Sequence, residues 1–591
     1  MNLENKTINK YNDSITELSN IFQRVFSNSI ENFSGYWHDD KDMMLTYLTF
    51  FNKILANPKE FLKIQKNTIE YLNKNKHLSQ SVMESFLTKE DKEAIISPQR
   101  NDRRFNSEEW SNNPFYSYIK QNYLLINQFY RNIVDEVEID TKKRRKLNFY
   151  TEQFLDALSP SNYFFSNPVA QKEALISNGE SIMQGYNNLI SDLKKGRVSQ
   201  TDESAFKVGK NLAYTKGSVV YQNELIQLIQ YTPLSEKVKE IPLLIVPPWI
   251  NKYYILDLQD HNSFVKYAVN EGFTVFMISW KNPSPNMRHI RFDDYVQMGI
   301  INAGEVIQEI TGVKKVNALG YCLGGTLLGV SAAVLNARKK SWLNSMTFIA
   351  TMLDFTDVGP MGDVIDEALV RKLERGELRE EGVMKGQDME RAFNLIRPKD
   401  LIWNYVENNY LLGKKPAAFD VLFWTNDNTN LPAEMYMFYL RHMVLENKLS
   451  KRNSLTICDV PINIRKLAVP AFVIGTIEDH ISPCHTTFST TELLKGDVQF
   501  VLGGSGHVMG VANPPAKKKY GYWSGGELNE GFDIWRETAK YHEGSWWTPW
   551  SKWLGENSGK EVESRKNNGS KQYPEIEAAP GSYVLEKINR D

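Results

Sequence analysis

Cys322 sits in a setting that suits a nucleophile: Val316-Asn317-Ala318-Leu319-Gly320-Tyr321-Cys322-Leu323-Gly324-Gly325-Thr326. The apolar run reads as a buried strand, the glycine-bracketed segment as a sharp turn, and the residues through Ala332, Ala333 and Leu335 as a small-residue helix. Strand, turn and helix in that order make a nucleophile elbow, with cysteine in the usual place of serine. Small neighbours are needed because two backbones approach closely at a strained turn. At the helix N-terminus unpaired N–H groups favour an anion, so the pKa of Cys322 is expected to fall. A free cysteine is more commonly a small buried hydrophobe. An acid and a base in suitable places separate the two readings.

Both are present. After Phe472-Val473-Ile474-Gly475-Thr476 comes Glu478-Asp479-His480-Ile481-Ser482-Pro483, which puts Asp479 at a strand end before a proline-terminated turn. Glu478 is the rival acid, but the shorter aspartate is more readily fixed in a turn. After Phe500-Val501-Leu502 a glycine-rich loop delivers His507, the expected general base. Nucleophile, acid and base then run in the chain order of α/β-hydrolases. Two oxyanion donors are expected: the N–H of Leu323, and that of Trp249 or Ile250 in the loop Pro247-Pro248-Trp249-Ile250-Asn251-Lys252-Tyr253-Tyr254. His480, beside the acid, is read as pocket lining. His480, Cys484 and His485 match no standard zinc spacing, so no metal is expected, and Cys458 and Cys484 read as structural.

The elements that position these residues are strands alternating with helical lengths. Val219 to Tyr221 and Leu225 to Tyr231 predict an opening antiparallel pair. Leu243 to Val246, Val275 to Ile278, Val316 to Leu319, Met346 to Ile349, Phe472 to Ile474 and Phe500 to Leu502 predict a mostly parallel sheet with helices on both faces. The fold class is therefore α/β, α/β-hydrolase-like, with chemistry at the carboxyl strand ends. Over a hundred residues separate the fourth parallel strand from Phe472, too many for one crossover. The expectation is a lid insertion over about 353–450, with Trp424 lining the pocket; its aromatics fit exclusion of water and ordinary satellite packing equally well.

Residues 1–200 are expected to be a mostly helical N-terminal domain. Apolar residues recur at helical spacing in Ile15, Leu18, Phe22, Val25 and Phe26, and again in Met44, Leu45, Leu48, Phe51 and Leu55. Such stripes fit a core face, a dimer contact or adsorption to an apolar surface, the core being commonest. The stretches Phe105 to Tyr130 and Tyr163-Phe164-Phe165 read as packing against the next domain. The catalytic domain spans 201–560. Trp546-Trp547-Thr548-Pro549-Trp550 and Trp553 predict a helix docked on it or on a dimer face. Gly555 to Ala579 reads as a flexible linker, running from the end of the catalytic domain into a polar C-terminal tail at 561–591, and Tyr573 to Asp591 is expected to redock.

Composition excludes several classes. A 591-residue chain with 41% hydrophobic residues fills a sizeable core, and a net charge of −1 gives no global case for nucleic acid. The basic run Lys142 to Lys146 reads as a solvated helix end. Three cysteines suit a reducing cytoplasm. The N-terminus has no apolar leader, and no run of about 18 apolar residues predicts a transmembrane segment.

The chain resembles the class I polyhydroxyalkanoate synthases. The resemblance rests on Asp102-Arg103-Arg104-Phe105, Pro247 to Leu258, Gly320 to Gly325, Asn394 to Val406, Phe419 to Asn430, Glu478-Asp479-His480, Gly506-His507 and Asn513-Pro514-Pro515-Ala516-Lys517. It covers nearly everything past residue 100. It implies transfer of (R)-3-hydroxyacyl groups from coenzyme A onto a growing polyester, with catalytic Cys322, Asp479 and His507. It also implies a homodimer residing on intracellular polyester granules, and no cofactor beyond coenzyme A as part of the substrate. The residue chemistry agrees, since a thioester exchanges readily with a thiolate. Two other classes share features: a cysteine hydrolase or thioesterase, which differs in accepting water, and a non-catalytic granule protein, which has no need of three reactive groups at three strand ends.

Overall fold

The computed structural model describes residues 40–88, 93–99 and 102–588. The stripe Ile15 to Phe26 lies outside the described residues. Contacts divide the chain into two units: one runs to Ser199 and takes in Arg391–Pro416, the other comprises Gln200–Glu390 and Ala417–Asp591. Part of the expected lid insertion thus belongs to the first unit.

The described part of the first unit is helical. Helices α1 (Asp40–Ala56), α2 (Pro58–Thr88), α3 (Pro114–Glu136) and α4 (Thr141–Ala157) carry most of it. Phe50 and Ile54 of α1 are buried with Val134, Val137 and Leu147. Met44, Leu45, Leu48, Phe51 and Leu55 are exposed. Of the three readings of the stripe, the core face is therefore the one that fails among the described residues. The helix is apolar on two sides, and periodicity alone does not say which side finds a partner. Phe105, Trp110, Tyr123 and Leu124 form a small core of their own. Beside it Arg104 bridges Asp102 at 2.8 Å and Asp156 at 3.3 Å. The basic run opens α4, where Asp140 accepts from the backbone N–H groups of Lys142 and Lys143.

The second unit is built on an eleven-stranded sheet. In chain order the strands are β1 (Gly217–Gln222), β2 (Ile226–Tyr231), β3 (Leu243–Val246), β4 (Val275–Trp280), β5 (Val316–Tyr321), β6 (Leu343–Ile349), β7 (Ala471–Thr476), β8 (Val498–Gly503), β9 (Tyr522–Ser524), β10 (Lys540–His542) and β11 (Glu577–Ala578). Their spatial order is β10-β9-β8-β7-β6-β5-β3-β4-β2-β1-β11. The six neighbours β8-β7-β6-β5-β3-β4 are parallel, and the strands outside them pair antiparallel. The expected strands are all present, and β1 and β2 form the opening antiparallel pair.

These parallel strands are continuous apolar runs because both faces are covered: every residue of β3, β4, β5 and β7 is buried. From β3 the chain goes first to β4 on one side and then to β5 on the other. The order reverses there, and the carboxyl ends of β3 and β5 are where open α/β sheets bind their ligands. Val246 lies opposite Gly320, Tyr321 opposite Ile349, and Thr476 opposite Gly503, so the ends of β3, β5, β6, β7 and β8 share one edge.

Helix α5 (Leu323–Ala337) leaves that edge after β5, α6 (Cys484–Leu493) after β7, and α7 (Trp547–Glu556) comes after β10. Trp546, Trp547, Trp550 and Trp553 are buried against Phe264, Phe273 and Phe472, so the tryptophan cluster is a core element of this unit. The segment Gly555 to Ala579 is not a free linker. Glu561–Glu563 pairs with Lys237–Lys239, the Gly569 N–H donates to Gln230 Oε1 at 2.7 Å, and β11 extends the sheet beside β1. Among the described residues no helix is long and apolar enough to cross a membrane.

Candidate active site

Cys322 stands between β5 and α5 with φ 52° and ψ −123°, a left-handed conformation that a side chain rarely adopts. The turn is held from outside. The Cys322 N–H donates to the Ile349 carbonyl at 2.8 Å, and the Cys322 carbonyl accepts from the Gly325 N–H at 2.9 Å and the Thr351 hydroxyl at 3.2 Å. Close approach explains the glycines. A Cβ on Gly320 would lie 2.3 Å from Gly325 Cα, and one on Gly324 would lie 2.2 Å from the Val246 carbonyl and 2.6 Å from that of Pro247. Gly324 thereby seats the elbow against the loop leaving β3. Gly324→Ala is expected to destabilise the unit by about 1–3 kcal/mol, because backbone cannot step aside as a side chain can. Urea unfolding checks this, and an unchanged midpoint would contradict it.

Asp479 sits just past β7 with no exposed side-chain surface. Its Oδ1 accepts from the N–H groups of Ile481 at 2.9 Å and Ser482 at 2.8 Å, and its Oδ2 from the Thr476 hydroxyl at 3.0 Å. His507 Nδ1 donates to the same Oδ2 at 2.7 Å. That bond leaves Nε2 as the ring position open to the thiol. Burial disfavours the imidazolium, but the carboxylate of Asp479 and the charge of Cys322 outweigh it, and the pKa of His507 stands at about 10. The two loops are stitched together by the Glu478 N–H on the Ser505 carbonyl at 2.9 Å. Helix α7 braces the base from below: the indole N–H groups of Trp546 and Trp547 donate to the carbonyls of Gly510 and Val511 at 2.8 and 2.9 Å.

The expected oxyanion residues lie on two elements, the start of α5 and the loop that follows β3. Leu323 is the first residue of α5, where leading N–H groups have no acceptor within the helix. Ile250 and Trp249 lie on the loop after β3. Trp249 is buried edge-on to Phe292, Tyr295 and Tyr439, and its indole N–H has no protein acceptor among the described residues. The Ile250 carbonyl accepts from the Thr429 hydroxyl at 2.8 Å. His480 is half-buried on the acid's loop. Trp424 is buried, and its indole N–H donates to the Lys252 carbonyl at 2.7 Å, which makes it a support of the loop after β3. Burial pushes the thiol of Cys458 up to about 11 and raises that of Cys484, so neither supplies a thiolate near neutrality.

Three further residues near the site make contacts that spacing does not reveal. Tyr321 donates from its hydroxyl to the His507 carbonyl at 3.2 Å, and its ring stacks on the imidazole with centroids 5.5 Å apart. Thr351 is the side-chain anchor of the elbow described above. Tyr439 opens a π-helical turn, Tyr439–Leu445; burial and then the charge of Cys322 raise its pKa, so its hydroxyl stays neutral beside the thiol.

A buried carboxylate bonded to an imidazole, and a cysteine on a strained elbow, stand at the carboxyl ends of β7, β8 and β5, and these residue types suit nucleophilic chemistry. Residues 101–268 match the model for the N-terminus of poly-beta-hydroxybutyrate polymerase (PhaC), and residues 242–514 that for the alpha/beta hydrolase fold. The chain is 44% identical over 490 residues to the poly(3-hydroxyalkanoate) polymerase subunit PhaC of Cupriavidus necator, covering 82% of this chain and 83% of that one. It is 43% identical to the poly(3-hydroxyalkanoate) polymerase of Methylorubrum extorquens (84% of this chain, 82% of that one) and 40% identical to the polymerase subunit of Rhizobium etli (83% and 77%). With the α/β-hydrolase fold under it and relatives of this similarity along most of its length, the chain belongs to the poly(3-hydroxyalkanoate) polymerase family.

Proposed function

We propose that this acyltransferase polymerises (R)-3-hydroxyacyl-coenzyme A into polyester with release of coenzyme A, through a thioester on Cys322. The observation that carries the reading is the Asp479–His507 pair at 2.7 Å, set beside a cysteine in a strained elbow. His507 takes the thiol proton, and the Cys322 sulfur attacks the carbonyl carbon of the substrate thioester. The N–H groups of Leu323 and Ile250 hold the oxyanion. The bond from carbon to the coenzyme A sulfur breaks, and His507 returns the proton to the departing thiol. The 3-hydroxyl of another unit then loses its proton to His507 and attacks the acyl-enzyme, which forms the ester bond and frees Cys322. Asp479 fixes the ring tautomer and stabilises the imidazolium. Similarity to the polymerases supports the substrate class, and the family resemblance implies a homodimer at the surface of cytoplasmic polyester granules. A cysteine thioesterase is the second reading, because it needs the same three groups and differs only in admitting water.

One assay separates them: thiol release from 3-hydroxyacyl-coenzyme A of four and six carbons, with turbidity followed alongside. Polymer formed in step with thiol is expected. Free hydroxy acid in place of polymer would favour the thioesterase, and granule binding without thiol release would favour a coat protein.

A further inference from the structure

Lys252 is a charged side chain in the interior, on the loop between β3 and Leu258. Its side chain is 3% exposed, and its ammonium lies 2.9 Å from Asp427 Oδ1, itself 11% exposed. The same Nζ donates to the Glu586 carbonyl at 2.7 Å. Three segments remote in sequence therefore meet at one atom: the loop after β3, the segment just past Trp424, and the chain's C-terminal tail. Asp427 Oδ2 also accepts from the Tyr254 hydroxyl at 2.9 Å, so both ends of Asp427 grip the loop. Upstream the loop is held again by Trp424 on the Lys252 carbonyl, by Thr429 on the Ile250 carbonyl and by a bridge between Asn251 and Asn428.

Burying an ammonium this deeply is costly unless its partners are fixed. A lysine used only to cover apolar surface would carry its ammonium out to water. Here it points inward and ties the tail to the loop. The tail reaches that point in an ordered way: β11 lies on β1, the Tyr583 N–H donates to Gln227 Oε1 at 3.1 Å, and Tyr583 and Val584 are buried.

We infer that Lys252 is a positioning residue for the oxyanion loop, and that with Asp427 it makes the C-terminal tail a structural part of the active site. The inference rests on the proposed role of the Ile250 N–H. Lys252 touches no reacting atom; it sets where the backbone two residues upstream lies. A misplacement of a donor by about 1 Å is enough to cost on the order of 100-fold in rate.

The test uses full-length Lys252→Met, which keeps the length of the stem and removes the charge, with Asp427→Asn and the double variant. Three quantities are read: kcat and KM for coenzyme A release, the rate of Cys322 alkylation by iodoacetamide, and amide exchange in segments 247–258 and 579–588. Lys252→Met should lower kcat about 10- to 100-fold with KM within about two-fold. Alkylation, which needs no oxyanion donor, should stay within about two-fold of the parent, and both segments should exchange faster together. The double variant should lose less than the product of the two single losses. An unchanged kcat, unchanged exchange in 579–588, or alkylation falling in parallel with kcat would each overturn the inference. If the parent protein itself releases no coenzyme A, the proposed function fails instead, while the exchange measurement still judges the clasp.

Discussion

Cys322→Ala is expected to abolish coenzyme A release, a loss of at least about 10⁴-fold, while leaving the protein folded. The fold should survive because the turn is held by groups that do not involve the sulfur: the Ile349 carbonyl, the Thr351 hydroxyl and the close pair of Gly320 and Gly325. Alanine meets the same strain at φ 52° that cysteine already bears, so substitution adds none. What disappears is the atom that becomes acylated. Intact mass after brief mixing with substrate should show an acyl adduct on the parent and none on the variant, with matching thermal midpoints. Cys322→Ser is the sharper comparison. It retains a nucleophile of similar reach beside the same base, but an alkoxide is far harder to generate than a thiolate, and thioester exchange loses its near-symmetry of attacking and leaving sulfurs. Alanine protein that still released thiol would remove Cys322 from the mechanism.

The edge of the sheet where this chemistry sits was legible in the sequence for a physical reason. Strands buried on both faces are short unbroken apolar runs, and each gives way to a break in that pattern: Pro247-Pro248, Cys322 between glycines, Glu478-Asp479, Gly503-Gly504. The break marks the strand end, and the strand end is where side chains converge. Other features leave no such mark. The outward face of α1 is as apolar as its inward face, so its spacing announced a helix without saying which side is covered. The tail from Gly555 is polar, yet it is ordered, because the edge of β1 offers backbone groups that any sequence can pair with. The linker reading of Gly555 to Ala579 fails on that point, whereas redocking is expected from Tyr573 on: composition reports side chains, and backbone pairing makes part of the attachment. Tyr439 and Lys252 show the same limit at the site. Each matters through a neighbour more than a hundred residues away, and nothing in the local pattern distinguishes a lysine that turns inward to an aspartate from one that reaches solvent.

Asp479→Asn is expected to lower the rate by about 10⁴-fold at neutral pH without loss of the Cys322 elbow. Asp479 spends all its acceptor capacity: Oδ1 on two backbone N–H groups, Oδ2 on Thr476 and His507. An asparagine has one acceptor oxygen. If that oxygen stays with Ile481 and Ser482, the amide N–H faces His507 Nδ1 and forces the proton onto Nε2, the nitrogen that must receive the thiol proton. If the amide turns over, two buried backbone donors lose their acceptor, at about 1–3 kcal/mol each. Neither arrangement serves both partners. The change should also appear away from catalysis. The folded pKa of His507, about 10, lies above the unfolded value of about 6.5, so the charged ring contributes stability that is complete below the unfolded value and is lost as pH rises through the folded one. Removing the Asp479 charge takes away the first of the groups that raise the ring's pKa and leaves only Cys322 against burial, which opposes its charge. The parent's thermal midpoint should therefore decline between about pH 6.5 and 10, and the variant's should decline less over that window. Equal slopes, or a variant that turns over at the parental rate, would mean that the 2.7 Å contact neither holds the proton nor sets the tautomer on which the acylation step depends.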